Sequence, residues 1–150
     1  MSMKTKFYCC DICGNIFVKL HDSGVIPHCC GKEVKELCVN TTDSLVEHHM
    51  PVVEKKEDNC YYVKVGKEPH PMAEKHHIQW IYVDFYTLDG RCGGEFVKLK
   101  PGDTTEVRIC ACGKCVRAIY AYCNIHGLWK CEINSSASPL ETGGACQQTP

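Results

Sequence analysis

The sequence predicts an all-β protein: a small metal-stapled unit followed by an antiparallel β-sandwich. From Val52 onward about seven short runs rich in β-branched and aromatic residues alternate with turn signals, the pattern of a sandwich. Phe7 to Leu37 is too short to bury a self-sufficient core, yet it holds a CxxC and a CC pair. The 150-residue chain also carries fourteen cysteines and eight histidines, a density that points to a disulfide scaffold or to metal thiolates.

Taken in order, CDICGNIFVKL leads through a Gly-containing connection to HCCGKEV. Cys10 and Cys13, with Cys29 and Cys30, supply four thiolates, a set that suits tetrahedral zinc or a single iron. Cys9 competes with Cys10, which gives the better two-residue spacer, and adjacent ligating cysteines constrain the local backbone. Thr41 to Glu47 predicts one helical turn capped by Thr42 or Asp43, before Pro51 forces extended chain. The strands are VVEKK, YYVKV after a polar turn at 57–59, IQWIYVDFYTL up to an Asp89-Gly90 hairpin signal, EFVKL, TEVRI after a turn at 101–103, VRAIYAYC and LWKCEI. The boundaries that follow are 1–38 for the thiolate unit, 39–133 for the sandwich and 134–150, rich in Ser, Gly, Gln and Pro, for a disordered tail.

Composition narrows the function. A net charge of −1 with mixed acids and bases gives no basic stripe for a phosphate backbone, so nucleic acid is not an expected partner. The N-terminus has no signal-peptide run and no eighteen apolar residues are consecutive, so neither export nor membrane insertion is expected and the chain reads as cytoplasmic. In a reducing compartment the cysteines read as thiols and metal ligands. Three segments that fall in loops or at strand ends carry the remaining chemistry: EHHMP, HPMAEKHH and YCNIHGLWK. Together they offer four imidazoles and one thiolate to a transition metal, leaving one octahedral position for substrate. CACGKC, Cys110 to Cys115, has metal-like spacing too and could recruit Cys92 or Cys131 into a third site, although such thiols also pack as small apolar groups.

CDICGN, CCG, EHHMP, VKVGKEPHPM, EKHHIQWI, LKPG and YCNIHGLWK, spanning Phe7 to Cys131, resemble desulfoferrodoxin, the two-iron class of superoxide reductase. The resemblance implies a desulforedoxin-like domain followed by an immunoglobulin-like β-sandwich, usually as a homodimer, and a rubredoxin-like electron donor. It implies two mononuclear iron centres. Centre I would use Cys10, Cys13, Cys29 and Cys30, with zinc as an alternative metal. Centre II would use His49, His70, His76, His126 and axial Cys123. The family places its ligand two residues before the proline, which selects His49 over His48, and the same register selects His76 over His77. Glu47 would then coordinate the oxidised metal, which would hinder a dismutase cycle. The substrate implied is superoxide, reduced to hydrogen peroxide. The contrasting class is an electron-transfer or zinc-binding module without turnover.

One departure from the family is His48, where lysine is usual. Lysine is charged at neutral pH, whereas an ordinary histidine is mostly neutral there. A charge about 6 Å from the anion, at an effective dielectric between about 20 and 80, contributes about 0.7 to 3 kcal/mol of attraction. Slower capture of superoxide is the expected consequence, more so as pH rises.

Overall fold

The computed structural model of the chain describes residues 4–40, 46–56 and 59–133, with the side chains of Val46 and Glu47 outside that description. The polar residues 57–58, the expected cap at Thr42 or Asp43 and the expected tail at 134–150 also lie outside the described residues. The chain divides into two compact units, Met1–Cys38 and Val39–Pro150.

In the first unit, β1 (Phe7–Cys9) lies between β2 (Ile16–Val18) and β5 (Lys35–Glu36), and β3 (His28–Cys29) pairs with β4 (Lys32–Glu33) as a separate hairpin. Its core is small: Tyr8, Cys10 and Val34 are buried, with Phe17 and Cys29 packed against them. Even with buried Phe7 added, so few apolar side chains cannot offset the conformational entropy of some thirty-odd residues. A bound metal is the physical means by which such units persist.

The second unit is the sandwich. One sheet has the order β10–β7–β6 and the other β12–β11–β8–β9, where β6 is Pro51–Lys55, β7 Cys60–Val65, β8 Ile78–Thr87, β9 Cys92–Lys98, β10 Val107–Cys110, β11 Lys114–Cys123 and β12 Gly127–Glu132. All pairings are antiparallel. Alternation places the core: Tyr61, Val63 and Val65 of β7 face Ile81, Val83 and Phe85 of β8 and Val116, Ile119 and Ala121 of β11 in one cluster. The outer face of the larger sheet carries aromatic pairs instead, Trp80 on Tyr122 at 5.3 Å and Tyr82 on Tyr120 at 6.2 Å. The one helix among the described residues is α1, a single turn at Val46–His49. Asn40, at φ +52°, ties the entry of this unit to β12, its amide donating to the Lys130 carbonyl at 3.2 Å and its Oδ1 accepting from the Lys130 N–H at 2.9 Å.

This topology gathers five chain segments at one end of the sandwich. The start of β6, the end of β7, the start of β8, the end of β11 and the start of β12 meet there, because antiparallel partners begin where their neighbours finish.

Candidate metal centres

The Sγ atoms of Cys10, Cys13, Cys29 and Cys30 all lie within 4.8 Å of one another. The first two come from the turn between β1 and β2, where the Gly14 N–H donates to the Cys10 carbonyl at 2.9 Å. The other two come from the β3–β4 hairpin, whose two loop residues, Cys30 and Gly31, have φ of +54° and +79°. A type I′ turn requires both values to be positive, so the glycine after CC is there for the backbone. Cys9 stays outside the group, its thiol donating to the Cys10 carbonyl at 3.6 Å. The N–H groups of Cys13 and then Ile12 pull the Cys10 thiol down to about 7, whereas the neighbouring thiols, Cys13 first, push Cys30 up to about 12 and raise Cys29. The group therefore accepts one negative charge readily and resists the next. Four thiolates at this spacing need a cation between them, the condition that iron or zinc satisfies.

At the end of the sandwich the ligand atoms of His49, His70, His76 and Cys123 also lie within 4.8 Å of one another. His126 abuts them, its Nδ1 3.0 Å from His49 Nε2 and 3.7 Å from Cys123 Sγ. Ring centroids of neighbouring histidines stand 4.7 to 5.1 Å apart, mostly edge to face. His49 closes α1, His70 follows β7, His76 precedes β8, Cys123 ends β11, and His126 sits in the three-residue turn closed by the Cys123–Gly127 pair.

Whether a metal fits is decided by the nitrogen atoms. His70 Nε2 and His76 Nε2 are buried and have no hydrogen-bond partner among the described residues. A buried polar atom without a partner costs roughly 1–3 kcal/mol, and two converging on one point are explained by an ion that accepts their lone pairs. The His49–His126 spacing agrees, since two nitrogens about 2.1 Å from one ion and at right angles are about 3.0 Å apart. His70 Nδ1 lies 2.8 Å from the Pro71 carbonyl, so that nitrogen carries the proton and Nε2 presents its lone pair. Burial pulls His70 down to about 4 and lowers His76 as well, keeping both imidazoles neutral and able to ligate near pH 7.

Three residues beyond the sequence-derived set support this cluster. Asn124 clamps two loops: its Oδ1 accepts from the His77 N–H at 2.9 Å, its amide donates to the Lys75 carbonyl at 3.0 Å, and its own N–H donates to the His77 carbonyl at 3.2 Å. Its place in a turn directly after Cys123 was a usable signal, since asparagine side chains often bridge turn backbones. Trp129, fully buried, stacks on His49 at 5.0 Å and 21°. Nothing in its β-strand sequence context distinguishes it from an ordinary core residue.

Gly66 is the third. At φ +81°, a Cβ added there would lie 2.6 Å from the His48 carbonyl oxygen and 2.7 Å from that of Glu68. Both obstacles are backbone and cannot rotate away. Gly66→Ala is therefore expected to cost about 1–3 kcal/mol and to weaken metal retention by shifting the turn that carries His49. Urea unfolding together with metal content after dialysis checks this; wild-type values for both would contradict the close approach.

The remaining sequence-derived candidates are placed as follows. His48 is exposed beside His49, outside the group, and Glu47 lies in α1 with its side chain undescribed. His77 turns its Nδ1 to the Ala73 carbonyl at 3.1 Å. Cys110, Cys112 and Cys115 form no metal-ligand group among the described residues: Cys110 and Cys112 are exposed, whereas Cys115 is buried in the core from β11. The CxCxxC spacing runs from the end of β10 into β11 of the other sheet, so its sulfurs part: Cys110 stays exposed, whereas Cys115 is buried in the core and held in a disulfide.

The desulfoferrodoxin family model matches residues 41–132. A desulfoferrodoxin homologue of Archaeoglobus fulgidus is 42% identical over 130 residues, 87% of this chain and 98% of that one. The desulfoferrodoxin of Desulfarculus baarsii is 42% identical over 133 residues, 88% of this chain and 99% of its own. Among solved structures, the superoxide reductase from Treponema pallidum superposes with a TM-score of 0.67 at 26% identity, covering 87% of this chain and 98% of that chain.

Proposed function

The chain belongs to the desulfoferrodoxin family, and on that premise we propose that it is a superoxide reductase, converting superoxide to hydrogen peroxide at the imidazole–thiolate cluster of its second unit. The observation that carries this is the convergence of His49, His70, His76 and Cys123, with two buried imidazole nitrogens unpartnered. Iron is the metal proposed here, and in its ferrous state it would supply the single electron that superoxide takes up. His49, His70, His76 and His126 would hold it as neutral donors and Cys123 as a thiolate.

What the side chains do follows from their charge. Four neutral imidazoles and one thiolate leave a divalent ion with a net charge of plus one, which attracts an anionic substrate. Cys123, as the one thiolate of the set, would be its strongest electron donor and would favour protonation of the reduced substrate. His48, exposed beside the cluster, is proposed to guide the anion, and Glu47 to cap the oxidised metal once product leaves.

The four-thiol group of the first unit is proposed to hold a second iron, with zinc as the alternative. A rubredoxin-like donor to restore the electron, a homodimer and a cytoplasmic setting belong to the same proposal. Among the described residues no helix is long and apolar enough to cross a membrane.

The test is stoichiometric. Iron-loaded protein with excess reductant, exposed to superoxide pulses, should yield one hydrogen peroxide per superoxide and release no dioxygen. Dismutation gives one peroxide for every two superoxides, with dioxygen. Either that ratio or no acceleration at all would reject the reading, the latter favouring an electron-transfer module.

A further inference from the structure

Cys60 and Cys110 stand directly opposite each other in the β7–β10 pairing, and among the described residues neither belongs to a metal-ligand group. Their place in the hydrogen-bond ladder matters. The Ala111 N–H donates to the Asn59 carbonyl at 3.0 Å, so the next pair along, Cys60–Cys110, is a non-hydrogen-bonded pair. The Lys56 N–H donates to the Cys60 carbonyl at 3.0 Å, which confirms that the peptide groups of Cys60 point toward β6. At such a site the two Cα atoms are closest, about 4.5 Å apart, within the range a disulfide spans.

Alternation puts both thiols on one face. Tyr61 and Ile109 point into the core, so Cys60 and Cys110 share the outer face of the smaller sheet. They differ in access, Cys110 being exposed and Cys60 1% exposed. The Cys110 thiol interacts with both Cys112 and Cys60, and is held below the ordinary thiol range chiefly by the Cys112 N–H and thiol, with Arg108 also contributing. An exposed, readily ionised thiol beside a shielded one is the arrangement of an attacking and a resolving pair.

We propose that Cys60 and Cys110 form a redox-responsive cross-strand thiol pair that hydrogen peroxide converts to a disulfide. In the first step the Cys110 thiolate attacks one peroxide oxygen; an S–O bond forms, the O–O bond breaks, and the departing hydroxide leaves as water with the thiol proton. Cys110 is then a sulfenic acid, oxidised by two electrons. In the second, Cys60 sulfur attacks Cys110 sulfur, an S–S bond forms, the S–O bond breaks, and hydroxide departs as a second water with the Cys60 proton. Two thiols and one peroxide become one disulfide and two waters. A dithiol reductant reverses the change. The site would register the product proposed for the metal cluster, but its chemistry does not depend on that reading.

Trypsin separates the two cysteines into peptides 57–64 and 109–114, so the link is directly readable. Thiol-reduced, metal-loaded protein is treated with added hydrogen peroxide in excess over metal, alkylated and digested without reductant. Mass spectrometry should find these two peptides joined, and separate again after dithiothreitol. Cys110→Ser, an exposed substitution, should remove the joined species and leave metal content and superoxide consumption unchanged, while Cys112→Ser should retain it. Cys60 recovered wholly alkylated after denaturation, Cys110 bonded to Cys112 within 109–114, or Cys110 found only as sulfinic acid would each overturn the proposal. Because peroxide is added directly, a failure of superoxide turnover would not produce any of these results.

Discussion

Cys123→Ser is expected to abolish the visible absorption of a ferric–thiolate centre in the sandwich unit and to reduce superoxide consumption by more than about 100-fold. Loss of a residue that merely supports a ligand lowers metal affinity or activity by about 10- to 100-fold, and removal of a ligand should exceed that. Cys123 is completely buried and its Sγ is the one sulfur among the gathered imidazoles. A serine hydroxyl stays protonated near pH 7, so the ion would keep a higher charge and lose the electron push that the thiolate provides. The substitution also exchanges a fully buried thiol for a smaller, more strongly hydrated hydroxyl, which lowers stability as well. Spectra and stopped-flow kinetics on the same folded sample separate the two effects: near-normal turnover in the variant would remove Cys123 from the proposed centre.

Trp129→Ala is expected to destabilise the sandwich unit by about 3–5 kcal/mol, the range for truncating a buried aromatic residue. Trp129 is fully buried and its ring covers one face of His49. The resulting cavity would let the imidazole rotate, so metal retention should fall along with stability. Trp129→Phe should behave differently, because Trp129 Nε1 has no hydrogen-bond partner among the described residues to lose, and a smaller ring can still stack on His49. A urea midpoint for the alanine variant close to that of the wild type would contradict this packing role.

The strands of the sandwich were legible because their period is two and their cores are β-branched: YYVKV and IQWIYVDFYTL appear as β7 and β8. The gathering of His49, His70, His76 and Cys123 was legible because HPM, EKHH and CNIHG are dense in candidate ligands and fall at strand ends. The five strands of the first unit were not legible, since segments of two or three residues such as β3 and β4 hold too few side chains to show a period. CACGKC misleads for a related reason. Spacing counts residues along the chain, but it shows neither that the chain changes sheets between Cys110 and Cys115 nor that Cys115 is taken up in a disulfide. Neither Trp129 nor Gly66 announces its role in sequence: one acts by what it stacks on and the other by what it leaves room for, and both depend on segments distant in the chain.

The most direct test of the central claim is anomalous diffraction at the iron edge from crystals of protein purified anaerobically with iron. The account predicts a strong peak enclosed by the ring nitrogens of His49, His70, His76 and His126 and the sulfur of Cys123. No peak there in iron-loaded crystals, or one that appears only at the zinc edge, would contradict it.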